Sequence, residues 1–246
     1  MKIQYDGLVF EVTRRCNMAC AHCLRGEAQC LDMSDEIIDK ALEDVTCISH
    51  IVFTGGEPSI NVHAIRHVLD VCKEKGIDVG GFFVATNGKE VSMDFIHVMI
   101  DWYAYCQDYD SEYCSLALSR DKFHDPIDTK NIQILRALSF FNEEEKATDF
   151  DRYEPIALGR ARSLTTVRDV RRYAPTVDYD SMYDVLLLDG GEITVTADGL
   201  YLPYCDYEYA EVQDIALGNV YEQDKYKQVL YEQRIYVEDN KNEEVA

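Results

Sequence analysis

Leu8-Val9-Phe10-Glu11-Val12-Thr13 runs, after two arginines, into Cys16-Asn17-Met18-Ala19-Cys20-Ala21-His22-Cys23. The first six residues are apolar and β-branched, which predicts a short buried strand. The next eight place three cysteines on one loop at C-x3-C-x2-C spacing. Working outward, the chain repeats a strand–loop–helix rhythm. Ser34 is the predicted N-cap of a helix with Ile37, Ile38, Ala41, Leu42 and Val45 on one face. His50–Thr54 is a compact strand. Asn61 caps the next helix, which Gly76 stops. Val79–Ala85 and Tyr113–Leu118 are predicted strands, and Ser92–Tyr105 and Pro126–Phe140 predicted helices. Arg152–Ala161 reads as a further strand, leading into a basic stretch of Arg160, Arg162, Arg168, Arg171 and Arg172. Strands alternating with helices predict βαβ units and a parallel sheet, hence an α/β fold.

After about residue 180 the pattern changes. Val185–Leu188, Ile193–Thr196 and Leu200–Tyr204 read as short strands, with turns at Asp189-Gly190-Gly191 and Asp198-Gly199. Val220–Tyr231 is a predicted closing helix, and the polar stretch Glu238–Ala246 is expected to fray. The expected organisation is an α/β body over residues 1–180 and a small β-rich C-terminal appendage over residues 181–246.

Composition narrows the function. The 246 residues carry a formal net charge of −22. Phosphate binding wants clustered Lys and Arg, so nucleic acid and anionic membrane surfaces are not expected partners. Met1–Asp6 has no signal-peptide apolar region and no apolar run reaches membrane-spanning length, so a cytoplasmic location is expected. Disulfides are rare there, and nine cysteines is an odd number. The cysteines are therefore free thiols, core residues or metal ligands.

Thiolates are the natural ligands of iron–sulfur clusters and of zinc. Three on one loop can hold three irons of a four-iron cube and leave the fourth open. Zinc wants a fourth protein ligand. His22 is the candidate, but it adjoins Cys23, so all four groups would wrap one ion from a very short loop. A structural zinc or iron–sulfur protein without catalysis is the bland alternative.

The loop resembles the C-x3-C-x-Φ-C signature of the radical S-adenosylmethionine (SAM) superfamily, with His22 at the usually aromatic Φ position. Thr54-Gly55-Gly56-Glu57-Pro58 is similar to the superfamily's GGE motif. Glycines there suit a backbone that approaches a ligand closely, and equally a plain strand-to-helix turn. The resemblance implies a partial (β/α)6 TIM-like barrel whose strand ends carry the site, a [4Fe-4S] cluster on Cys16, Cys20 and Cys23, and SAM as cofactor. It implies that His22 lies beside the cofactor, that Gly55, Gly56 and Glu57 meet the methionine amino group, and that Asn87, in Thr86-Asn87-Gly88, lines the same pocket. Ser119 is the implied partner of ribose hydroxyls or of the methionine carboxylate. Arg160, in a Gly-Arg-Ala stretch similar to one in peptide-modifying members, is an implied carboxylate partner. An electron from a donor such as flavodoxin or ferredoxin would cleave SAM to a 5′-deoxyadenosyl radical, which abstracts hydrogen from substrate. The substrate implied is a peptide; the alternative is a small molecule such as a nucleotide, held by the Arg160–Arg172 stretch.

Asp198-Gly199 through Cys205, followed by Leu217-Gly218-Asn219-Val220, resembles the SPASM or twitch extensions of such enzymes. Only Cys205 falls in this region, so a remnant without an auxiliary cluster is expected. Cys30, Cys47, Cys72, Cys106 and Cys114 have no metal spacing, and Cys47 and Cys72 read as small buried hydrophobes. Tyr201, Tyr204, Tyr207, Tyr209, Tyr221, Tyr226, Tyr231 and Tyr236 crowd the appendage, either as its aromatic core or as a binding surface.

Overall fold

Strand β1 (Lys2–Thr13) extends the apolar run Leu8–Thr13 toward the N-terminus and lies in the middle of the sheet. The computed structural model describes residues 1–106, 113–142 and 154–243. On one side of β1 follow β2 (Val45–Gly55), β3 (Asp78–Thr86), β4 (Ser115–Leu118) and the short β5 (Phe141–Asn142), each parallel to its neighbour. After β6 (Thr176–Asp180), strand β7 (Val185–Val195) returns to the other edge of β1, again parallel. β8 (Leu200–Leu202) and β9 (Gly218–Asn219) extend that side antiparallel, and β6 pairs antiparallel with β7. The parallel strands form one open sheet in the order β5-β4-β3-β2-β1-β7. This is an α/β fold, a partial TIM-like barrel that does not close.

Leu8, Val9, Phe10 and Val12 are all buried, as a parallel strand covered on both faces requires. Helices α1 (Asp35–Ala41), α2 (Val62–Lys75) and α3 (Met93–Cys106) supply Ile38, Leu69 and Trp102 to the core. The predicted caps hold: Ser34 accepts from Ile37 N, Asn61 accepts from Ala64 N, and Gly76 is left-handed. Cys72, Cys106 and Cys114 are buried in this core. Among the described residues no helix is long and apolar enough to cross a membrane.

Several expectations change. The predicted helix over Pro126–Phe140 shrinks to α4 (Thr129–Leu135), capped by Asp128 and followed by tight turns into β5. Arg152 and Tyr153 lie outside the described residues. From Glu154 onward the expected strand is absent: one bridge joins Ile156 to Arg168, and Gly159–Ser163 forms a 3-10 turn. The reason is close packing. Gly159 takes φ +51°, and a Cβ on it would stand 2.5 Å from Leu24 O on the cysteine loop.

Asp189-Gly190-Gly191 does not turn the chain. It sits inside β7 as a bulge: Tyr5 aligns with Leu188, but Gly7 aligns with Glu192. Asp198-Gly199 does make the predicted hairpin, between β7 and β8. The closing helix is α6 (Gln223–Glu243), preceded by a short α5 (Val212–Ile215) and a 3-10 turn at Val220–Glu222. Four of the C-terminal tyrosines, Tyr201, Tyr207, Tyr209 and Tyr226, are buried, which favours the aromatic core. Tyr201 stacks on Tyr226 at 3.8 Å, and Tyr5 donates to the Tyr226 hydroxyl.

Candidate active site at the strand ends

β1 ends at Thr13, β2 at Gly55, β3 at Thr86 and β4 at Leu118, and each opens into a loop at the same rim of the sheet. There a cavity of about 300 Å³ is lined by Cys16, Cys20, His22, Cys23, Gly55, Gly56, Glu57, Asn87, Ser119 and Arg160. All ten sequence candidates thus meet in one place. The cavity also takes Arg14, Arg25, Cys205 and Tyr209, which sequence reasoning had not marked or had left open. Arg14 and Arg25 carried a signal of their own, two cations flanking a cysteine loop.

The cysteine loop is tied at its base. Thr13 Oγ1 donates to Asp32 Oδ1 at 2.6 Å, Arg14 N donates to Leu31 O, and Gln29 N donates to Arg14 O. Cys23 N bonds Cys20 O at 3.1 Å, which folds the C-x2-C end into a turn. Burial raises the Cys16 thiol, and burial with the Cys16 and Cys23 sulfurs beside it pushes Cys20 up to about 11. A bound cation offsets that cost at Cys16 and Cys20 by neutralising the thiolates.

Gly55 and Gly56 are needed, but the close approach is to the chain itself. A Cβ on Gly55 would stand 2.1 Å from Thr13 O, and one on Gly56 2.2 Å from Arg15 O. Gly56 N and Glu57 N donate to Thr13 O and Arg15 O. The end of β2 is thus laid against the root of the cysteine loop.

Glu57 is buried and acts as a staple. Its Oε1 accepts from Ser59 N (3.1 Å), Ser59 Oγ (2.7 Å) and Thr86 Oγ1 (2.8 Å), and its Oε2 from Asn87 N (2.8 Å). Burial pushes this carboxyl above its usual range, against the pull of those bonds. Asn87 in turn donates to Asn17 Oδ1 at 2.8 Å, reaching the cysteine loop from the opposite side.

His22 turns toward the end of β4. Its Nε2 stands 3.4 Å from Asp121 Oδ2, and its ring stacks on Phe123 at 4.8 Å. His124 Nδ1 lies 2.8 Å from Asp121 Oδ1. Burial tends to raise the Asp121 carboxyl, but the bonds from His124 and from Phe123 N hold it below its usual range. Burial lowers His22. Its contact with Asp121 sets His22 in this strand-end group.

Arg160 N donates to Cys23 O at 3.0 Å, and its Nη1 reaches Glu27 at 3.4 Å. Among the described residues its buried Nε has no hydrogen-bond partner, and neither has the buried hydroxyl of Tyr209. Orphaned buried donors are costly, and both belong to residues that line the cavity, as a ligand-binding site would arrange them. Two members of the basic stretch are spent locally. Arg162 pairs with Glu208 through two bonds, and Arg172 with Glu211 and Asp206 O.

A thiol-rich loop at the strand-end rim of an open α/β barrel, beside a cavity with unsatisfied donors, defines a cofactor-dependent enzyme site. Residues 10–138 match the Radical SAM superfamily, over half of the chain, and the chain belongs to that superfamily. It is a radical SAM enzyme, and its cofactors are a [4Fe-4S] cluster and SAM. An uncharacterized protein of Methanocaldococcus jannaschii is 31% identical over 70 residues, a match that spans 27% of this chain and 24% of that protein. The structure of anSMEcpe with bound AdoMet and Cp18Cys peptide superposes with a TM-score of 0.56 at 14% identity, covering 95% of this chain and 82% of that one. SuiB of Streptococcus suis bound to S-adenosylmethionine gives 0.50 at 14% identity, covering 93% and 64%. These two likenesses are of fold.

Proposed function

We propose that this enzyme modifies a peptide, with Cys16, Cys20 and Cys23 as the cluster ligands. The observation that carries the ligand assignment is the convergence of the three thiols with Gly55–Glu57, Asn87, Ser119 and Arg160 on one cavity. When bound, the reduced cluster supplies the electron that cleaves SAM to the 5′-deoxyadenosyl radical, which takes a hydrogen atom from substrate. The chain's own residues do the rest. Arg160 Nε and the Tyr209 hydroxyl offer unspent hydrogen bonds to the ligand. Glu57 holds the ends of β2 and β3 in register beneath it. Asn87 fastens β3 to the cysteine loop, and Ser119 offers its hydroxyl from the end of β4.

A peptide is favoured over a nucleotide because two of the five arginines that a phosphate would use are engaged: Arg162 with Glu208, and Arg172 with Glu211. The net charge of −22 suits a basic peptide. A protein of the same fold, anSMEcpe, has been seen with a peptide bound. Residues 1–180 serve as the radical SAM core, and residues 181–246 as a twitch-like extension without a second cluster. Flavodoxin or ferredoxin in the cytoplasm is the proposed electron donor.

The test is anaerobic reconstitution, reduction and addition of SAM, with 5′-deoxyadenosine measured against a pool of Lys/Arg-rich peptides and a pool of nucleotides. About four irons per chain, one [4Fe-4S] cube, and release accelerated by the peptide pool are expected. Zinc in place of iron would overturn the cluster, and acceleration by nucleotides alone would overturn the peptide.

A further inference from the structure

Two buried arginines bracket the cysteine loop, Arg14 two residues before Cys16 and Arg25 two residues after Cys23; they are 5% and 6% exposed. Both are held by the C-terminal segment. Arg14 Nε donates to Glu11 Oε1 at 2.5 Å, and its Nη2 to Asp198 Oδ1 at 2.7 Å, in the Asp198-Gly199 turn. Arg25 Nη1 donates to Cys205 O at 2.7 Å and Tyr207 O at 2.9 Å. Its Nη2 lies 3.6 Å from Cys205 Sγ, and its guanidinium sits 3.7 Å over the Tyr207 ring. Tyr209 N closes the contact on Arg25 O at 3.0 Å. The circuit is complete, because the Tyr207 hydroxyl donates to Glu11, which already pairs with Arg14.

The charges in this circuit are not balanced alike. Arg14 has two carboxylates, Glu11 and Asp198. Among the described residues, the side-chain hydrogen bonds of Arg25 go only to two carbonyls and a thiol, and burial pushes that thiol up and keeps it neutral. The Glu11 and Glu192 carboxylates act on Arg25 from farther off without bonding it, and a buried cation is costly unless negative charge lies nearby. Arg25 faces the same cavity as the three cysteines. A four-iron cluster on three thiolates is net negative, and reduction adds one more negative charge. Net charge and hydrogen bonding around the sulfurs are the terms by which a protein tunes such a cluster.

We infer that Arg25, fixed by the backbone of Cys205–Tyr207, is the counter-charge of the cluster and raises its reduction potential, so that the C-terminal segment serves to position the cluster loop. Arg25 is a positioning residue; it does not ligate iron. The inference rests on the proposal that Cys16, Cys20 and Cys23 hold the cluster. It gives Cys205 a role that needs no second cluster: its carbonyl and sulfur hold the guanidinium.

The experiment is an EPR-monitored redox titration of the reconstituted full-length chain. Arg25→Met is expected to keep four irons while its midpoint shifts to more negative potential. Arg25→Lys retains the charge and is expected to stay near wild type. Glu11→Gln removes a negative charge but keeps an acceptor for Tyr207 and Arg14, and is expected to shift the midpoint the other way. An unshifted Arg25→Met, or an Arg25→Lys shifted as far as Arg25→Met, overturns the inference. If Arg25→Met takes up no cluster, Glu11→Gln decides, and an unshifted midpoint there overturns it. Wild-type protein that holds no four-iron cluster would instead defeat the ligand assignment beneath it.

Discussion

Replacing Glu57 by Gln tests whether this carboxylate is a staple between strands. The side chain keeps its length, and its amide oxygen can still accept from Ser59 N, Ser59 Oγ and Thr86 Oγ1. Its amide nitrogen then faces Asn87 N, donor against donor, where Oε2 had accepted at 2.8 Å. One buried N–H is left unpaired, which costs about 1–3 kcal/mol. Glu57→Ala strands Ser59 N as well, and the expected loss doubles to about 2–6 kcal/mol. Against a domain stability of about 5–15 kcal/mol, either change is measurable and the second approaches unfolding. The pH dependence is sharper. Because burial raises the Glu57 carboxyl in the folded chain, its contribution is fully present below the ordinary carboxylate range. It is lost as pH rises through the raised value. Gln does not titrate, so the gap between wild type and Glu57→Gln should be widest in acid and narrow as pH rises. Urea unfolding of the cluster-free chain, followed by far-UV circular dichroism across that range, reads both effects. A gap that widens with pH would refute the raised carboxyl, and equal stability throughout would refute the staple.

Arg160→Ala removes an unspent donor, and a charge-assisted bond of about 1.5–3 kcal/mol predicts SAM binding to cluster-loaded protein weakened on the order of 10–100-fold; unchanged affinity would place Arg160 outside the ligand contacts. Tyr209→Phe deletes a hydroxyl that has no partner in the empty chain, so the thermal midpoint should hold or rise while ligand binding falls. A lowered midpoint with unchanged binding would make that hydroxyl structural. Gly56→Ala forces a Cβ to 2.2 Å from Arg15 O, so cluster uptake should fall sharply; iron analysis after reconstitution checks this, and full iron content would sink the packing argument. The triple replacement of Cys16, Cys20 and Cys23 by Ala should abolish both iron and 5′-deoxyadenosine, and persistent release would reassign the ligands.

The parts of this fold that were legible in sequence are those encoded locally. Ser34, Asn61 and Gly76 each mark a helix end by side-chain or backbone chemistry within a few residues. The cysteine loop announces itself by spacing alone. What failed depended on partners distant in the chain. Asp189-Gly190-Gly191 has the composition of a turn, but β1 pairs on both sides of it and draws it into a bulge. Gly159 read as part of a strand, yet it is the residue that lets the chain touch the backbone of Leu24. Gly55 and Gly56 were marked correctly for close approach, but what they approach is Thr13 and Arg15. Arg14 and Arg25 were passed over because their partners, Asp198 and Cys205–Tyr207, lie far along the sequence.

The parallel pairing of β1 with β7, in which Lys2 meets Val185, has a consequence for how the molecule comes into being. The strand that delivers the cysteine loop has an open edge until residue 185 and beyond have been synthesised, so the sheet carries a high contact order and folding should be slow. A nascent chain stopped short of residue 185 would display a bare apolar strand edge, a template for aggregation. Arg14 and Arg25 gain their anchors later still. Cluster assembly on a ribosome-bound chain should therefore be poor, and the site should mature only after release.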